Sequence, residues 1–241
     1  MADKNRREII TNQDRDINAI KAGLKLLPGV GDAMIQFIFG KGEEARQRRL
    51  QDTLQEVVDK LNERDIEDKL EGNEEFGDFF TKAADPISRS VNEDKRKRFR
   101  DLLFNSMQIP PGDPGWEDSM FCLDLLQKID PAGLYVLAMI AQANRDGKRI
   151  GPTSFNALPR WLIVPKDSRG DSQVAADSGE FKDFRYSHVL ITKAIALLEG
   201  QLRLLWKEQA LVSSGGSATG VYFYSLTPDG ELLVKWTVAD F

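Results

Sequence analysis

The sequence is poor in the residues that do chemistry. It holds one cysteine, Cys122, and one histidine, His188. A single cysteine excludes an internal disulfide and a thiolate metal cage. A single histidine excludes a multi-histidine metal site, and no recognisable Ser-His or Cys-His arrangement accompanies it. Cys122 sits among Met120, Phe121, Leu123 and Leu125, a setting that predicts a buried, inert thiol and fits a reducing compartment. Long apolar runs are missing too. The most apolar stretch, 17–39, is interrupted by Lys21, Lys25, Asp32 and the Pro28-Gly29 break, whereas a membrane span requires about 20 continuous apolar residues. Residues 1–8 are charged and lead into no apolar segment, so a secretory signal is not expected and the chain reads as cytoplasmic. An excess of positive charge is also lacking. The net charge is −5, which argues against general affinity for nucleic-acid phosphates.

The motifs of common enzyme classes are absent as well. Pro28-Gly29-Val30-Gly31 contains Gly-x-Gly, but no strand pattern precedes it and no Walker Lys-Ser/Thr pair follows, so it reads as a turn. The paired carboxylates Asp14/Asp16, Glu43/Glu44, Asp65/Asp68 and Glu74/Glu75 all lie in hydrophilic surroundings. A catalytic acid needs a desolvated site to move its pKa, so these pairs read as solvated helix faces. Residues 167–171 lack the Asp/Asn spacing and closing Glu of a calcium loop. No catalytic, cofactor-binding or metal-ligating residue is therefore assigned, and no cofactor is expected.

What is present is helical periodicity. Ile17, Ile20, Leu24 and Leu27, then Ala33, Met34, Phe37 and Ile38, predict two short apolar helices around the 28–32 turn. This hairpin, with Leu27, Pro28, Gly29, Gly31, Phe37 and Phe39 at its centre, is expected to be either core or an element that meets membrane or a partner protein. Leu50, Leu54, Val57, Val58 and Leu61 mark a narrow stripe on a long charged helix over 43–70, with Gly72 as its stop. Phe76, Phe79, Phe80, Ala83 and Ile87 predict a helix that Pro86 limits. Ser90 followed by Glu93 reads as a capping box for a helix from Val91 that presents Phe99, Leu102, Leu103 and Met107. The Pro- and Gly-rich stretch 110–115 is the expected domain boundary, separating a helical domain, 1–110, from a second domain, 116–241.

In the second half, 116–128 reads as helix, and Asp130-Pro131 starts another that runs to Asn144. Residues 151–179 read mostly as loop with one extended piece, 161–164. A long helix is expected over 186–209, with Leu190, Ala194, Leu197, Leu198, Leu202 and Leu205 on its buried face and a kink at Gly200. A β-hairpin follows, from 210–212 through a Ser-Gly-Gly-Ser turn to 221–226, and Thr227-Pro228 caps a last helix. The fold class expected is mainly α, all-α but for this small hairpin: an N-terminal helical bundle followed by an α+β domain.

The order of these elements, with Tyr224-Ser225-Leu226-Thr227-Pro228-Asp229-Gly230-Glu231-Leu232-Leu233 at the exit of the hairpin, resembles the winged-helix superfamily over 130–241. In a DNA-binding winged helix the helix before the wing presents basic and amide side chains to bases. Here it offers Lys193, Glu199, Gln201, Arg203, Lys207 and Glu208, and 213–220 carries no cation, so protein contact is the favoured use and DNA the alternative.

The apolar Pro-Gly turn, 97–107 with its Leu102-Leu103-Phe104-Asn105-Ser106-Met107 core, 121–131 and the Thr227-Pro228-Asp229-Gly230 ending together resemble the bacterial Abi-alpha family. The resemblance implies a role in abortive infection of phage-infected cells and implies no catalytic mechanism. Lys95, Arg96, Lys97, Arg98 and Arg100 form one basic cluster, a candidate for binding anions on a membrane surface or nucleic acid. The function expected is non-enzymatic binding, as an effector or regulator of phage defence acting through protein or membrane contacts. A transcription regulator binding DNA is the alternative. A protein partner is expected first, peripheral contact with the inner membrane second and nucleic acid last, with homo-oligomerisation left open.

Overall fold

The computed structural model describes residues 44–58, 73–153, 159–166, 173–175, 179–214 and 217–237. The apolar hairpin, with Leu27, Pro28, Gly29, Gly31, Phe37 and Phe39, lies outside them, as do the second half of the long charged helix and its stop at Gly72. Contacts divide the chain into two compact units. Described residues up to Gln127, with Trp236 and Thr237, form the first; Lys128–Lys235 form the second. The Pro- and Gly-rich stretch 110–115 falls within the first unit.

The first unit is helical: α1 (Glu44–Val58), α2 (Glu74–Arg89), α3 (Glu93–Ser106) and α4 (Gly115–Lys128). Helix α1 packs on α2 and α3 through the expected stripe, with Leu50, Leu54 and Val57 buried. The core is aromatic. Phe76 stacks on Phe80 at 6.1 Å between ring centres, and Trp116 meets Phe76 and Phe79 at 6.4 and 6.3 Å. Each such side chain contributes about 1.5–3 kcal/mol when fully buried. That burial explains why α2 runs on past Pro86. The proline costs one backbone hydrogen bond, but Phe79, Phe80, Ala83 and Ile87 on the same face are almost fully buried. The capping box is also corrected. Ser90 ends α2, its N–H bonding to the Pro86 and Ile87 carbonyls. Asn92 is the N-cap of α3 and accepts from Lys95 N at 2.9 Å. An Asx side chain one residue from the first turn wins over a Ser that already closes the preceding helix. Cys122 is fully buried.

The second unit is mixed. Helix α5 (Pro131–Arg145) starts at the Asp130 cap, whose carboxylate accepts from Gly133 N at 2.7 Å. Then come β1 (Lys148–Thr153), β2 (Arg160–Pro165), β3 (Gln173–Ala175), β4 (Glu180–Asp183), α6 (His188–Ala196) with a π-helical turn Leu197–Gln201, β5 (Leu205–Ser214), β6 (Ser217–Leu226) and α7 (Pro228–Thr237). The strands form one sheet in the order β3-β5-β6-β1-β2-β4, antiparallel except for β3 beside β5. The chain is thus mainly α with a six-stranded sheet in its C-terminal part. The all-α expectation, with no more than a small hairpin, is overturned. The extended piece 161–164 is part of β2, but β1, β3 and β4 lie in or beside the rest of 151–179, where the sequence reads as loop because these strands are short and lack a clean alternation.

The long helix expected over 186–209 is overturned too. It closes at Leu202, whose N–H bonds to the Leu197 carbonyl, and Arg203 turns the chain with φ 54°. Leu205 then pairs with Leu226 as the first rung of the β5–β6 ladder. Leu198, Leu202 and Leu205 fit a helical period, but cross-strand pairing of Leu205–Ser214 with β6 outweighs it. Strand alternation gives the sheet two faces. Trp161, Ile150 and Tyr224 share one, where Tyr135 of α5 accepts from Trp161 Nε1 at 3.1 Å. Leu162, Val164, Ala210, Val221 and Phe223 form a buried cluster on the other. Thr227 joins the sheet to α7. Its hydroxyl donates to the Arg203 carbonyl (2.9 Å) and accepts from Gly230 N (3.2 Å).

Candidate binding surfaces

The basic cluster falls on the first half of α3, and the fold uses most of it. Arg96 pairs with Glu93 and donates to the Ser90 and Val91 carbonyls at 3.3 and 3.4 Å. Arg98 donates to the Thr237 carbonyl at 3.2 Å. Arg100 pairs with Glu56 of α1 and lies 3.7 Å from the fully buried Asp101. Lys95 donates to the Gln127 carbonyl at 3.1 Å. Lys97 is exposed. These cations tie helices together and point in different directions, as four consecutive helical positions must.

Lys95 lines a cavity. This is an open cleft of about 320 Å³ bounded by Asp85, Pro86, Arg89 and Ser90 of the α2 end, Lys95 and Phe99 of α3, and Gln127 of α4. Arg89 Nε is held by Asp85 Oδ1 at 2.8 Å. Ser90 is nine-tenths buried, and its hydroxyl has no hydrogen-bond partner among the described residues. The sequence does not single out Arg89 and Ser90 as a site, because a cation at a helix end reads as helix-terminating chemistry and Ser90 reads as the capping box of the next helix.

In the second unit, the segment entering α6 is aromatic. Tyr135 packs edge-on to Tyr186 at 5.6 Å, and Trp161 to Phe184 at 5.2 Å. His188 lies parallel to Phe184 at 6.0 Å, so the chain's one histidine is an exposed stacking residue at the start of α6. The next two residues, Val189 and Leu190, are 61% and 43% exposed. The expected buried face is met in part: Ala194, Leu198 and Leu205 are buried, but Leu190 is exposed, and Ile191 and Ile195 complete the inward set. Trp206 of β5 is 61% exposed, and Tyr222 of β6 is 42% exposed on the opposite face of the hairpin. Lys207, expected on a helix, is in β5, where it pairs with Glu199 at 3.4 Å and sits 4.1 Å over the Tyr222 ring. The Tyr224 phenol behind them is pushed up to about 12, by burial first and then by the charge of Glu199 and by Tyr222.

Among the described residues no group of three His, Cys, Asp or Glu side chains is placed to hold a metal ion, and no helix is long and apolar enough to cross a membrane. Comparison with protein-family models, curated proteins and solved structures gives no match for this chain.

Proposed function

We propose that this chain is a non-enzymatic binding protein that engages a protein partner through the start of α6, as an effector or regulator of bacterial phage defence. The observation that carries the binding reading is the adjacent pair Val189 and Leu190, held in solvent on the first turn of a helix. Large apolar side chains left together at a surface mark contact sites more often than single ones do. The mutual aromatic packing of Tyr135, Trp161, Phe184 and Tyr186, which reaches the start of α6 through His188 on Phe184, supports this, since a preorganised surface binds with less entropy lost. The defence setting rests on the Abi-alpha resemblance of 97–107 and 121–131. Peripheral membrane contact through the 27–39 hairpin belongs to the same reading, at the cytoplasmic face of the inner membrane.

The test is phage challenge of bacteria expressing the full chain, compared with Val189→Ser/Leu190→Ser. Both positions are exposed, so the variant's melting temperature should stay near wild type. Protection is expected from the wild type and its loss from the variant. Full protection by a folded variant contradicts the reading.

A DNA-binding winged helix is the second reading, favoured by one observation. Helix α5 leads directly into β1, and β1 lies beside β6 in the order β5-β6-β1, the strand arrangement of a winged helix. Against it stand the insertion of β2–β4 and a pre-wing helix whose first turn offers Val189 and Leu190. This reading requires duplex DNA binding that weakens steeply with salt.

A further inference from the structure

The cleft at the end of α2 carries more than the basic cluster on which it borders. Three different donor groups line it. Arg89 is held at Nε by Asp85 at 2.8 Å, which leaves the two terminal amino groups of its guanidinium as further donors. Lys95 brings an ammonium, 6.0 Å from the centre of the Phe99 ring. Ser90, nine-tenths buried, brings a hydroxyl with no hydrogen-bond partner among the described residues. Two cations against the one carboxylate of Asp85 leave the lining net positive.

We infer that this cleft binds a phosphate monoester. A carboxylate has two oxygens, whereas a phosphate monoester has three terminal oxygens, one for each of the guanidinium, ammonium and hydroxyl donors. The volume of about 320 Å³ exceeds that of a bare phosphate and lies at the low end of small-molecule sites, about 300–1,000 Å³. The organic part of the ligand therefore rests on Pro86 and Phe99, with Asp85 at the rim to accept from a hydroxyl. The same chemistry is carried by a soluble phosphorylated metabolite and by the headgroup of phosphatidic acid. Lys97, exposed on the same helix but outside the cleft, takes no part.

The full chain is titrated calorimetrically at constant ionic strength with inorganic phosphate and with glycerol 3-phosphate. In a second arm it is mixed with phosphatidylcholine vesicles with and without phosphatidic acid. Saturable binding is expected, tighter for the ester than for inorganic phosphate. Arg89→Gln removes a charge-assisted contact and weakens binding about tenfold or more. Ser90→Ala weakens it by a smaller factor, and Lys97→Gln leaves it unchanged. Binding confined to phosphatidic-acid vesicles, and lowered by Arg89→Gln, supports the same site with a lipid as its ligand. No saturable binding in either arm overturns the inference. So does equal weakening by Lys97→Gln and Arg89→Gln, which would mean a diffuse basic surface. Either outcome leaves the partner surface on α6 untouched, since the two lie in different units.

Discussion

Tyr224 shows how far a single residue's environment departs from what its neighbours in sequence suggest. It stands in an apolar strand, Val221-Tyr222-Phe223-Tyr224, and reads there as one more β-former. In the structure it is buried near Glu199, which arrives from the π turn after α6, and its phenol is raised from 10.0 to about 12. In the unfolded chain the phenol ionises near 10, so between pH 10 and about 12 the folded state binds more protons than the unfolded one. Stability is therefore retained below pH 10 and lost as pH rises toward 12. Denaturant unfolding at stepped pH should show this decline, and Tyr224→Phe should flatten it. Ultraviolet titration should find one of the four phenols ionising only near pH 12. The basic cluster teaches the same lesson from the other side. Lys95, Arg96, Arg98 and Arg100 are legible as charge in the sequence. That they spend it on the carbonyls of Gln127, Ser90 and Thr237 and on Glu56 depends on partners up to 139 residues away.

At the scale of elements, helices with a cap and a wide apolar face were readable: α4 and α5 run where Trp116, Asp130-Pro131 and the Leu134–Ala141 periodicity put them. Strands were readable only in part: the extended piece 161–164 lies in β2 and the expected hairpin in β5 and β6, whereas β1, β3 and β4 owe their existence to pairing rather than to local pattern. Gly151 illustrates this. It reads as a loop residue, yet it sits mid-ladder, where an added Cβ would lie 2.0 Å from the Tyr222 carbonyl oxygen. Gly200, in the π turn, meets nothing within 4 Å. Gly151→Ala should therefore lower stability by about 1–3 kcal/mol or more through forced backbone separation. Gly200→Ala should raise it by about 0.5–1 kcal/mol by restricting the unfolded chain. Urea denaturation of the two variants side by side checks both signs. The misplaced end of α6 has a related cause. A leucine period carried across Arg203 cannot reveal that the backbone there turns to positive φ, a conformation rare outside glycine.

For the whole molecule, the sequence was informative about class and silent about sites. Few chemistry-bearing residues, helical periodicity in the first half and a hairpin near the end were enough to place the chain as mainly α with a mixed C-terminal part. The extent of the sheet, the cleft at Arg89 and Ser90, and the exposure of Val189 and Leu190 all required the assembled fold, since each depends on contacts between segments distant in sequence. On this reading the start of α6 holds a protein partner. It is tested most directly by placing a photo-crosslinking amino acid at position 189 of the full chain in phage-challenged bacteria, with Lys97 as an exposed control position. A discrete adduct is expected at 189 that resists nuclease, is absent from position 97 and disappears when Leu190→Ser is added. A nuclease-sensitive adduct, or a pattern at 189 no different from that at 97, would contradict it.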